Sequence, residues 1–133
     1  MAIERLNPAE LHTTPGYHHV TIAAPGRLVF LAGQCPLNAA GDLVGEGDVL
    51  AQTDQVVANT LIALASAGAR PSEVVRTVIY VVTDDNDMLS AVWRRLVDSD
   101  LGPAFTTAST LVGVARLGFR GQLVELDVTA ARS

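Results

Sequence analysis

The sharpest pattern in the chain is an alternation near its C-terminus. Val124, Leu126 and Val128 fall on one side of an extended segment, and Glu125, Asp127 and Thr129 on the other. A period of two predicts a strand over Leu123–Ala130 with one buried face. A second apolar run, Ser109–Val114, precedes it, and Arg116–Gly121 lies between with glycines at 118 and 121. The pair reads as a β-hairpin with a longer-than-minimal loop. Two acids on one face of so apolar a strand need a reason: a wet face, or a carboxylate held for a purpose.

Earlier in the chain, Ile3–Leu6 is a short edge-strand candidate, and Asn7–Gly16, with two prolines and a glycine, is a loop. Tyr17–Ala24 and Leu28–Cys35 read as strands joined at the turn dipeptide Pro25-Gly26. Pro36–Gly47 is a loop long enough to work as more than a connector. Asp48 is placed to cap a helix that runs to about Ala67, with Gly68 beyond its end. Its apolar stripe is Val57, Leu61 and Leu64. Val74–Val82 is too densely apolar for a solvent-facing strand. The acids of Asp84–Asp87 suit the start of a second helix, on which Leu89, Val92, Trp93 and Leu96 repeat at core spacing to about Asp98. Leu101-Gly102-Pro103 closes that unit.

Strands separated by helices, with hairpins at both ends, predict an α+β fold: a mixed sheet with both helices on one face. Two helices leave the other face bare, carrying residues such as Leu111 and Leu123. A bare apolar face is an association surface, so the pattern predicts a homo-oligomer packed sheet against sheet.

Composition narrows the function. The 133 residues fit one domain, 1–133, able to bury its own core. One cysteine, Cys35, excludes an internal disulfide and a cysteine-based metal cluster and suits the cytoplasm. No apolar run is long enough to span a membrane, and the charged N-terminal stretch lacks the apolar region of a secretory signal. A formal net charge of −5 disfavours nucleic acid, and adjacent Arg94 and Arg95 read as a solvated helix face. His18 and His19, adjacent on a strand, point to opposite faces and cannot chelate one metal together, so no metal or other cofactor is expected.

Several motifs in order resemble the Rid family (YjgF-like proteins, once called endoribonuclease L-PSP). They are Pro15-Gly16-Tyr17, Ala32-Gly33-Gln34-Cys35-Pro36, Gly41-Asp42-Leu43-Val44, Val114-Ala115-Arg116-Leu117, and Leu123-Val124-Glu125-Leu126-Asp127. The resemblance implies a chorismate-mutase-like fold, a homotrimer with the sheets lining a central barrel, and small-molecule sites between subunits. The activity it implies is hydrolysis of enamines and imines to a carbonyl compound and ammonia. The family's water-handling glutamate carries over to Glu125, with one residue inserted in the preceding loop. Its ligand-binding tyrosine carries over to Tyr17, and Gly33 lies in its cleft motif. The serine before that glycine is Ala32 here, and the arginine that clamps a substrate carboxylate falls on Ser109.

That last departure has a size. Losing one partner of a buried charge-assisted contact costs about 2–5 kcal/mol, roughly 30- to 5,000-fold in binding. The expected activity is therefore deamination of an imine, enamine or related C–N substrate without the usual carboxylate clamp, not efficient 2-iminoacid deamination. Arg116 and Arg120 are the candidates to restore the charge. Glu125 would act as acid and base, with Tyr17, Gly33 and Ser109 at the ligand; a structural, interfacial Glu125 is the plain alternative. Asp127 reads as structural, Cys35 as a small buried hydrophobe, and the Trp93 stripe as core. The rival functions are a non-catalytic trimer that senses a metabolite or binds a partner, and a ribonuclease. The acidic charge and the lack of a catalytic histidine pair weigh against the ribonuclease.

Overall fold

The computed structural model describes residues 3–132. Eight elements follow in order: β1 (Glu4–Leu6), β2 (Val20–Ile22), β3 (Arg27–Phe30), α1 (Val49–Ser66), β4 (Val74–Val82), α2 (Asn86–Val97), β5 (Ala108–Val114) and β6 (Val124–Arg132). The fold is α+β, with two helices packed on a mixed four-stranded sheet of order β3-β6-β4-β5.

Both helices begin as the sequence indicates. Asp48 caps α1 by accepting from the Ala51 N–H at 3.1 Å, and Asp85 caps α2 by accepting from Asp87 at 2.9 Å. Gly68 follows α1 at φ +69°, a conformation in which a side chain would be strained. The buried face of α1 is more polar than its Val57–Leu64 stripe suggests, because it also carries Gln52, Thr53 and Thr60. Thr53 and Thr60 donate to carbonyls one turn back, and Gln52 serves a loop described below.

The pairing of the strands departs from expectation. β5 and β6 do not form a hairpin: β4 lies between them, parallel to β5 and antiparallel to β6. The loop between them therefore crosses the end of β4. β4, apolar but for Arg76 and Thr77, gains two partners this way, which suits an interior strand. The hairpin expected around Pro25-Gly26 is also absent. β2 pairs with β1 in a separate two-stranded sheet, and β3 pairs with β6. Tyr17, His18 and His19 precede β2 and lie outside any strand. After Phe30 the Leu31 N–H still reaches Val128 O of β6 at 3.1 Å, and the chain then leaves the ladder, returning in a bridge between Gln34 and Leu126.

Cross-strand neighbours share a face, so the register sorts the sheet. Thr77, Ile79 and Val81 align with Val128, Leu126 and Val124 beneath the helices. Ser109, Leu111 and Gly113 of β5 align with the same three β4 residues. Leu111 thus belongs to the covered face, and Val112 takes its place on the open one. The open face carries Val78, Tyr80, Glu125, Asp127 and Thr129, with Leu28 and Phe30 of β3. Leu28 is 57% and Phe30 72% exposed.

Ile79, Leu126, Leu64, Leu96 and Phe105 are among the fully buried side chains of the core. Phe105 meets the Trp93 ring edge-on at 5.9 Å between centroids. Phe105→Ala is expected to cost about 3–5 kcal/mol, read as a fall in the urea midpoint with an unchanged slope.

Candidate functional site

The sequence-selected residues fall into two depressions rather than one. Ser109 is on the helix-covered side of β5 and Glu125 is on the open side of β6. The first depression, about 700 Å³, lies where α2 passes the free edge of β5, and its walls include Tyr17, Trp93, Arg94, Ser109 and Leu111. The second, about 310 Å³, opens on the bare face and is lined by Leu31, Gly33, Tyr80, Leu117, Glu125 and Asp127.

In the first depression Tyr17 is held by its ring and its hydroxyl. The ring meets Trp93 edge-on at 6.2 Å and His19 at 5.9 Å, and the hydroxyl is 3.2 Å from His12 Nε2. Trp93, expected in the core, is half-buried: its ring rests on Phe105 and its indole N–H donates to Pro15 O at 3.3 Å. The Ser109 hydroxyl is already engaged, accepting from Thr77 Oγ1 at 2.6 Å and donating to Thr107 O at 3.1 Å. Neither Arg116 nor Arg120 lines either depression; the cation beside Ser109 is Arg94. Its neighbour Arg95 is committed elsewhere, in a two-pronged pair with Asp54 at 2.7 and 2.8 Å that holds the Asp54 carboxyl below its usual range.

The second depression is built round Glu125. Gln122, 3% exposed, donates to Glu125 Oε1 at 3.0 Å and to Val124 O at 3.1 Å, and accepts from the Phe119 N–H at 3.1 Å. The Cys35 thiol donates to the same Oε1 at 3.4 Å. Gly33 is needed here for space, because a Cβ on it would lie 2.1 Å from Glu125 Oε2. The segment before β6 is fixed from α1: Gln52 accepts from the Leu123 N–H at 2.7 Å and donates to Gly121 O at 3.0 Å and Gly45 O at 3.1 Å. Tyr80 stands opposite Glu125 across the β4–β6 ladder.

Cys35 is half-buried and partnered rather than a plain hydrophobe. Burial, then its hydrogen bond to Glu125 and the charge of that carboxylate, push the thiol up to about 11. It stays protonated at neutral pH and is a poor nucleophile. His12, His18 and His19 find separate partners: Tyr17, the Thr106 carbonyl and the His12 carbonyl. Among the described residues no group of three or more His, Cys, Asp or Glu is arranged to hold a metal, and no helix is long and apolar enough to cross a membrane.

Cys35, Gln122, Tyr80 and Arg94 were not picked out as site residues by the sequence. The signal for Tyr80 was the β4–β6 register, which the expected hairpin concealed. Gln122 offered none beyond being polar at the start of an apolar strand.

A mixed sheet with two helices on one face and a carboxylate-centred depression on the other defines the class of the chain as α+β. More specifically, the chain belongs to the endoribonuclease L-PSP family, the Rid proteins, whose sequence model matches residues 8–132. It is 33% identical over 133 residues to a RutC family protein, slr0709 of Synechocystis, covering 98% of this chain and 97% of that one. It is 37% identical over 108 residues to protein DfrA of Myxococcus xanthus, covering 79% and 76% of the two chains. The crystal structure of the Rid family protein YyfB from Yersinia pestis, described as of unknown function, superposes with a TM-score of 0.88 at 35% identity, over 99% of this chain and all of that one.

The raised thiol has a consequence for stability. The folded chain holds the Cys35 proton more tightly than an ordinary thiol of pKa 9.0, so its contribution is complete below pH 9 and lost as pH rises through about 11. The stability difference between the wild type and Cys35→Ala, measured by urea unfolding, is expected to change over that window. Glu125→Gln removes the neighbouring charge, so iodoacetamide should alkylate Cys35 faster between pH 9 and 11.

Proposed function

We propose that this chain hydrolyses a C=N bond of a small imine or enamine in a cleft between subunits of a homotrimer, with Glu125 handling water and protons. The observation that carries the reading is Glu125 itself: Oε1 is tied to Gln122 and Cys35, and Oε2 is turned to Gly33 in a depression with no other obvious use for it. The open face, with Leu28 and Phe30 exposed, supports assembly through that side. In a trimer the Tyr17–Ser109 depression of one subunit would meet the Glu125 depression of the next. Family membership supports that arrangement and a small-molecule ligand.

The chemistry balances without a cofactor. Water adds to the imine carbon, the C=N π pair moves to nitrogen, and Glu125 takes the proton that water loses. Glu125 returns that proton to nitrogen to give the neutral carbinolamine, then takes the proton of its hydroxyl and passes it to the amine, and the adduct collapses. The C–N bond breaks, a carbonyl forms, and ammonia leaves, so imine plus water gives carbonyl plus ammonia. An enamine enters the same path after a proton is added at carbon.

The substrate follows from what stands beside Glu125 and Ser109. Among the described residues no cation lines the Glu125 depression, and Ser109 offers a hydroxyl already used twice. A neutral imine fits better than a 2-imino acid, and any carboxylate would depend on exposed Arg94 at the rim of the other depression.

Trapping with semicarbazide tests this, with amino-acid oxidase generating 2-imino acids and a parallel source generating neutral imines. Neutral imines should be hydrolysed faster than 2-imino acids. Glu125→Ala should lose turnover while sedimenting as a trimer, and Gly33→Ala should fall with it by displacing the carboxylate. Unchanged turnover in Glu125→Ala removes the assigned role. A ligand that raises the melting temperature without being consumed would favour the metabolite-sensing trimer.

A further inference from the structure

We infer that Gln122 is a positioning residue that makes Glu125 a one-oxygen acid–base. Its catalytic meaning rests on the proposed function; its geometry does not. Three observations carry it. The first is that Gln122 is buried at 3% exposure, with both amide protons and its oxygen engaged. Its amide oxygen takes the Phe119 N–H, one amide proton goes to Val124 O, and the other goes to Glu125 Oε1 at 3.0 Å. The neighbours fix which end is oxygen and which is nitrogen, since an N–H faces one and carbonyl and carboxylate oxygens face the other. The second is that Cys35, from a different part of the chain, points its thiol at the same oxygen at 3.4 Å. Burial and the adjacent carboxylate keep that thiol protonated, so it remains a donor. The third is that, among the described residues, no group donates to Oε2, which occupies the space that a Gly33 side chain would need.

The two oxygens are therefore not equivalent. Oε1 accepts two donors, and a proton placed there would face them. When Glu125 carries a proton, Oε2 carries it. The same atom that takes a proton from attacking water is then the atom that returns one to the leaving nitrogen, with no rotation of the carboxyl between the steps. Gln122 fixes that orientation from the segment that leads into β6. It stands three residues before Glu125, and its own loop is anchored by Gln52 of α1.

The test is made on the full-length assembled protein with Gln122→Met, which keeps length and removes the donors, and with Cys35→Ala, which removes the second donor and leaves Gln122 in place. In the semicarbazide assay, Gln122→Met is expected to lower kcat by about 10- to 100-fold, the scale of a misplaced catalytic group, with KM within about twofold. Cys35→Ala should shift kcat in the same direction by less. Gln122→Glu should regain turnover as pH falls, because the introduced carboxyl donates only when protonated. Crystal structures of Gln122→Met and wild type should show Glu125 moving from one rotamer to several. A Glu125 that keeps its rotamer in Gln122→Met, or a kcat that stays at the wild-type level, overturns the inference. So does a loss in kcat matched by KM and melting temperature together, which would make Gln122 purely structural. If the wild type hydrolyses no imine, the proposed function fails, while the rotamer comparison still decides the positioning of Glu125.

Discussion

Everything distinctive about this protein depends on β4 being paired on both edges. A parallel partner cannot be reached by a tight turn, so the chain must cross over the sheet between β4 and β5. That crossover is α2, and it sets Trp93 and Arg94 beside the free edge of β5. The antiparallel partner, β6, then comes back on the far side of β4 and carries Glu125 to the opposite face. The two depressions are separated by the same event that completes the core. No movement of side chains within one protomer brings Ser109 and Glu125 together, because a sheet stands between their side chains.

Much of this was legible in the sequence. The two caps, the helix limits, the alternation over β6 and the apolar density of β4 each follow from residue types acting locally, and each appears in place. What failed was pairing. Two apolar runs with a glycine-containing loop between them describe both a hairpin and a pair of strands that flank a third. Local pattern cannot choose, since the choice is made by β4, twenty-five or more residues earlier. The error then passed to Leu111, whose face depends on its partner Ile79 rather than on its own neighbours.

The surroundings of the candidate residues were legible to a lesser depth. Glu125 was marked by being an acid on an apolar strand, and Gly33 and Tyr17 by their motifs. The groups that give Glu125 its character were not. Cys35, Gln122 and Gln52 reach it or its loop across sequence gaps of 90, 3 and 71 residues, and only the pairing of the strands brings the long-range ones into range. Gln122 lies close in sequence but acts through a buried amide whose direction is set by Phe119 and Val124. Buried amides of this kind are costly unless every group is partnered. Gln52 and Gln122 are so partnered, which is why two glutamines lie inside the sheet–helix unit without weakening it.

Phe30 and Leu28 carry one more implication. A single chain with these side chains in water leaves part of its hydrophobic stabilisation ungathered. In an assembly closed by that face, folding and association become one equilibrium, and the chain's resistance to unfolding rises with its own concentration. Dilution would then act on it as a denaturant does, and the cell's expression level would belong among the forces that hold the fold.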